Sequence, residues 1–194
     1  MVDEVFSSTD ISHTCPHSVA QVLGVGLMPV SIWHVWLLKS YESPFAVGGQ
    51  PQVNDLALAV LICSMNRKDM GAVLSDDKKM AEAVASIAEN WFTIPSAELE
   101  IHVLSFNQYL TEGLDGPQFW EDPEHNPVKD RSRCPMEWHL VKMLLNERIC
   151  QTEEEAWNYS FTRALCWSAV VGETNGSRNY IDPVDRADIE KVNV

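Results

Sequence analysis

The sequence predicts an all-α fold: an irregular multi-helix bundle with a C-terminal helical hairpin. Three observations carry this expectation. Apolar residues recur at helical spacing, i, i+3 or i+4, i+7, through most of the chain. Proline, serine or threonine stands immediately before those periodic stretches, where helix starts want them. Strand-like alternation is convincing over no window of five or more residues.

Cys15-Pro16 can open a first helix, since proline at the first helical position loses no needed N–H, and Gly24 and Gly26 would end it. Pro29 and Ser31 introduce a second over Ile32 to Tyr41, and Ser43 to Gly49 reads as a loop. Val53 to Met65 is apolar nearly all round and predicts a buried central helix. Asp76 to Trp91 places Met80, Val84, Ile87 and Trp91 on one stripe, and Pro95-Ser96 opens a helix with Leu99, Val103, Phe106 and Leu110 on another. Residues 1–113 are therefore expected to form an N-terminal helical domain. From 114 to 134 the chain becomes acidic and carries Pro117, Pro123 and Pro127, which forbid helix interiors, so it reads as a loop or linker anchored by Phe119-Trp120. Residues 135–176 predict the hairpin. Its first helix, Pro135 to Ile149, would turn Trp138, Val141, Leu145 and Ile149 inward. Cys150-Gln151 would join it to a second helix opened by the capping box Thr152 to Glu155, with Trp157, Phe161, Leu165, Ser168 and Val171 as its stripe. Residues 177–194 read as a polar tail.

Charge narrows the function. Fourteen Lys+Arg against 28 Asp+Glu give a net charge of −14. The excess is spread along the chain: residues 1–114 hold 5 basic and 13 acidic side chains, residues 115–194 hold 9 and 15. Nucleic acid and anionic lipid are bound by basic surfaces, so neither is an expected partner. The acidic start, Met1 to Val5, has no basic region of a secretory signal, and the longest apolar run, Leu56 to Cys63, is eight residues against the ~20 that cross a bilayer. Five widely spaced cysteines without a C-x-x-C pair suit a reducing cytoplasm rather than a disulfide scaffold.

Few residues offer chemistry. Cys15 and His17, with Cys134 and His139, would make a sensible tetrahedral zinc set, but neither half has the usual ligand spacing, and two capped helix starts with surface histidines explain them better than a metal site or a reactive thiol. His34, in an apolar helix, reads as a satisfied core histidine, and Glu153 to Glu155 as a helix-start cap. Phosphate-loop, dinucleotide, nucleophile-elbow and His-Glu-x-x-His motifs are missing from the sequence. No catalytic residue, metal ligand or cofactor is assigned. The candidate partner-binding residues are Trp120, Trp157 and Trp167, large anchors of the type that dominates interfaces.

The segment 135–176, with Cys134 just before it, carries Cys-Pro-Met-Glu-Trp-His-Leu-Val at its start, then Thr-Glu-Glu-Glu-Ala-Trp, then Ala164-Leu165-Cys166-Trp167 and Glu173-Thr174-Asn175-Gly176. It resembles the C-terminal helical hairpin of the tail assembly chaperones of tailed bacteriophages. That resemblance implies a non-enzymatic assembly protein of the host cytoplasm, with a tape-measure protein or tail and connector subunits as partners. A structural or connector subunit of the virion is a related expectation. A cytoplasmic enzyme using Cys15 or a Cys/His metal site is the competing one.

Overall fold

A computed structural model describes residues 20–89, 96–117 and 134–175. These form nine helices and one small hairpin of strands, an all-α multi-helix fold as the periodicity predicts. Among the described residues no helix is long and apolar enough to cross a membrane.

The chain departs from expectation at once. Where a helix was expected to run on to Gly24, β1 (Gln21–Val22) pairs antiparallel with β2 (Val25–Gly26). Leu23 and Gly24 link them with φ of 53° and 71°, the two left-handed positions of a tight hairpin turn. A left-handed leucine costs roughly 1–2 kcal/mol, and burial of its side chain, 5% exposed, returns a similar amount. Its N–H also points at His102 Nδ1, 3.4 Å away.

Helix α1 (Ile32–Ser40) begins at Ser31 and buries Ile32, His34, Val35, Leu37 and Leu38. The expected loop at 43–49 contains a single helical turn, α2 (Pro44–Val47), whose Phe45 ring meets Phe106 edge-on at 4.7 Å. Helix α3 (Val53–Cys63) is the central element, with Leu56, Ala57 and Ala59 to Cys63 all buried. Helix α4 (Arg67–Leu74) has no counterpart in the sequence reading. It buries only Met70, too little for a periodic signal, and is started by Asn66, whose Oδ1 accepts the Asp69 N–H at 2.9 Å. Helix α5 (Asp77–Glu89) packs along α3 with Val84 and Ile87, and α6 (Ser96–Leu114) brings in Phe106, Tyr109 and Leu110.

The C-terminal hairpin is α7 (Met136–Asn146), α8 (Glu153–Asn158) and α9 (Phe161–Thr174). Two expectations need correction here. First, α7 is rotated from its expected face: Glu137, Leu140, Val141 and Leu144 are buried, while Trp138 is 43% exposed. The Glu137 carboxylate can turn inward because Lys39 Nζ reaches Oε1 at 2.6 Å, leaving no naked charge in the core. The helix also stops earlier. Arg148 takes φ 57°, and the Arg148 and Ile149 N–H groups donate back to the Leu145 and Leu144 carbonyls, so residues 147–152 form the connection.

Second, the helix expected from Thr152 to an end at Gly172 or Asn175-Gly176 reaches Thr174 but is broken at Tyr159-Ser160. The capping box at its start is present: Glu155 N–H donates to Thr152 Oγ1, and Glu155 Oε2 accepts from the Gln151 and Thr152 N–H groups. At the break the backbone is extended and pairs with a distant segment. Ile32 N–H donates to Tyr159 O (3.1 Å) and Phe161 N–H to Val30 O (2.9 Å). Ser160 then caps α9 through the Arg163 N–H. One continuous buried cluster runs from Val22 to Ala164, so both sides of the 114–134 stretch share a core.

Candidate functional site

Trp157 is not a surface anchor. It is 1% exposed and forms the hub of a cluster of four tryptophans. Trp138 meets it edge-on at 4.9 Å, Trp33 edge-on at 5.8 Å and Trp36 tilted at 5.8 Å. Trp33 and Trp36, one turn apart on α1, stack on each other at 4.9 Å. The Arg67 guanidinium lies over the Trp33 and Trp157 rings at 5.5 and 5.6 Å. Its outer edge pairs with Glu153 (3.1 Å) and Glu154 (3.5 Å), and Trp157 Nε1 donates to the same Glu153 oxygen at 3.0 Å. The acids of the capped helix start thus also hold the cation that seals the cluster. This unit joins α1, α4, α7 and α8 and explains why the hairpin sits where it does.

His34, also on α1, is 1% exposed. Its Nδ1 accepts the Ser31 N–H at 3.2 Å, Ser31 Oγ accepts the His34 N–H, and Nε2 donates to Met65 O at 2.8 Å. Both ring nitrogens are occupied by the fold. Burial drives the ring pKa down to about 4, against a smaller upward pull from Met65 O. A cavity of about 170 Å³ opens beside it, with Asn66, Asn158 and Ser160 on its wall. Asn66 and Ser160 are engaged in capping, and Asn158 Oδ1 accepts the Arg67 N–H, so the cavity's polar lining serves the backbone.

The thiols follow the same rule. Burial pushes Cys63 up to about 12, with Tyr109 hydrogen-bonded beside it, and the Tyr109 hydroxyl donates to Met28 O at 2.7 Å. Burial, and then the Glu155 carboxylate, push the Cys150 thiol up. Neither is a thiolate at neutral pH. Cys134 is exposed, whereas Cys15 and His17 lie outside the described residues, as does Trp120. Among the described residues no group of three or more His, Cys, Asp or Glu side chains is placed to hold a metal.

Among the described residues Trp167 is the predicted anchor that remains accessible, at 40% exposure. It projects from α9 beside a groove of about 280 Å³ formed where α7 and α9 both end. Ile149, Trp167, Val170 and Val171 make the apolar wall, and Glu147, Thr174 and Asn175 the polar end. The Trp167 indole N–H donates to the Tyr159 hydroxyl at 3.2 Å, which ties the ring to the extended break that precedes α9. A preset aromatic ring on a half-open apolar groove loses little entropy on binding, which favours it as a docking feature. The periodicity turns Ile149 and Val171 inward; Ile149 packs against the core, and both also line this groove. The neighbours that reveal their role, Trp167 and Val170, sit on a second stripe of α9 at 167, 170, 171 and 174.

No protein-family model, curated protein or solved structure matches this chain.

Proposed function

We propose that this protein acts by binding other proteins during virus assembly, as a tail assembly chaperone of a tailed bacteriophage. The observation that carries the reading is the half-exposed Trp167 on its apolar groove. It lies within 135–176, the segment whose sequence resembles that family. An acidic chain of net charge −14 stays dispersed at high concentration, as a protein that shields apolar partners must. The buried thiols and the fully engaged His34 leave the described residues poor in groups poised for catalysis.

The test is an affinity pull-down from the producing cells at moderate salt, with partners identified by mass. Recovery of a long helical protein before tail completion, and its loss afterwards, is the expected result. Stable recovery with finished particles would assign the protein to the virion instead. If no partner comes down and purified full-length protein carries stoichiometric zinc, the reading is wrong and Cys15, His17, Cys134 and His139 become the site to pursue.

A further inference from the structure

The break between α8 and α9 is imposed from far along the chain rather than by local chemistry. Trp157 to Thr162 contains neither proline nor glycine, and the apolar stripe Trp157, Phe161, Leu165 passes through it at helical spacing. Two backbone bonds to the distant segment hold it open, Ile32 N–H to Tyr159 O and Phe161 N–H to Val30 O. The Ser160 Oγ cap on the Arg163 N–H is long, at 3.5 Å, and the Trp167 indole reaches back across the break to Tyr159. A single helix from Glu153 to Thr174 would give these bonds up. In their place the Ser160, Phe161, Thr162 and Arg163 N–H groups would donate to the carbonyls four residues earlier. In the broken form the Ser160 and Thr162 N–H groups have no acceptor among the described residues. What straightening removes at the break, it returns in helical bonds.

Beyond the break, α9 grips the body lightly. It buries one large side chain, Phe161, at its first position, and then only Thr162, Ala164 and Ala169. Thr162 Oγ1 donates to Gly113 O at 2.7 Å. Helix α9 is also the last described element, so no other described element has to move with it. An α9 that swings out on a straightened hinge leaves an empty seat against α1, α6 and α7. A second copy supplies an α9 that fits this seat residue for residue.

We infer that Tyr159-Ser160 is a hinge and that α9 exchanges between two copies of this chain. In the exchanged dimer α8 and α9 run as one helix, and the α9 of each copy lies in the seat of the other, with Thr162 of one copy on the Gly113 carbonyl of the other. The contacts of α9 with the body are kept, and only those at the hinge change. This goes beyond the assembly reading above and does not depend on it.

The test compares the full chain with its Ser160→Pro and Ser160→Ala variants. Both lose the Ser160 cap, but they treat the helix in opposite ways. Proline suits the break, where Ser160 has φ −55° and Tyr159 has φ −67° and ψ 142°. It forbids the straight helix, because it has no N–H to donate and its ring meets the Ala156 carbonyl. Alanine favours the straight helix. Size exclusion with light scattering, after incubation at high protein concentration, reads the dimer fraction. Salt at about 0.3 M screens the repulsion between two chains, each of net charge −14. The parent is expected to form a dimer that returns slowly to monomer on dilution. Ser160→Ala should raise the dimer fraction by about threefold or more at low occupancy, and Ser160→Pro should abolish it. A second measurement needs neither variant: in parent dimers formed from mixed isotope-labelled and unlabelled chains, NMR contacts of Phe161 and Thr162 with Val30 and Gly113 should pass between chains. Parent and Ser160→Ala chains that stay monomeric throughout overturn the inference. So does a dimer that Ser160→Pro retains, or one in which those contacts stay within each chain, since either is an ordinary surface association.

Discussion

Acidification should unfold this protein through His34 in a way that its carboxylates do not reproduce. In the folded chain the ring is neutral, with its proton on Nε2 for Met65 O and the Nδ1 lone pair facing the Ser31 N–H. Protonating Nδ1 would set two donors against each other in a site that is 1% exposed, so the cation is rejected until about pH 4. The unfolded chain takes up this proton near its ordinary pKa of 6.5. Because the folded value is the lower one, the contribution of His34 to stability is complete above about pH 6.5. It is lost as pH falls from there to about 4, where both states are protonated. A separation of about 2.5 units at about 1.4 kcal/mol per unit gives a loss on the order of 3 kcal/mol, a large share of a small domain's stability. Urea unfolding at several pH values between about 7 and 4.5, for the parent chain and for His34→Gln, is the assay. Glutamine is a natural capping-box residue that can accept the Ser31 N–H and does not titrate. The 28 carboxylates and the other histidines are common to both proteins and cancel. The parent should lose roughly 1 kcal/mol per pH unit more than the variant between about pH 6 and 4.5. Parallel stability curves, or a ring that titrates near 6.5 by NMR in the folded parent, would refute the argument.

The tryptophan hub makes a sharp contrast with the groove. Trp157→Ala should cost about 3–5 kcal/mol in urea unfolding because it empties the centre of a buried cluster, whereas Trp167→Ala should cost about 1 kcal/mol or less. Trp157→Ala should also change the coupled indole circular dichroism that the stacked Trp33 and Trp36 rings produce. Lys39→Ala should destabilise by about 1–3 kcal/mol, since it strips the partner from a buried Glu137 carboxylate. Adding Glu137→Gln should recover part of that loss in a double-mutant cycle. Gly113→Ala should cost about 1–3 kcal/mol, because the new methyl would lie 2.6 Å from Val30 Cβ. Gly116→Ala should be milder, since it meets the mobile tip of Leu165 at 2.7 Å and the leucine can turn away. Thermal melts of the two variants decide the order.

What the sequence determined by itself was local. The helical period placed α3, α5 and α6 correctly because each packs several apolar residues of one face, fully or partly buried, against the core or, for α3, nearly all round. The capping box at Thr152 and the serine before Ile32 declared two helix starts, since a cap needs only residues three apart. His34 was legible as a core histidine for the same reason: its apolar neighbours lie on its own helix. What only the tertiary structure decided involves partners far along the chain. Gly24 and Gly26 suit a helix end as well as a hairpin, and the β1–β2 pairing settles which. Tyr159-Ser160 shows no break in its periodicity. It is extended because Val30 and Ile32, some 130 residues earlier, offer backbone hydrogen bonds that a continuous helix would forgo. The tryptophans show the limit most plainly. Trp157 and Trp167 both read as partner anchors in what looks like one helix, yet one is buried by Trp33, Trp36, Trp138 and Arg67 while the other overhangs a groove. Periodicity places a side chain on a face of its own helix, but what covers that face is set by where the rest of the chain comes to lie.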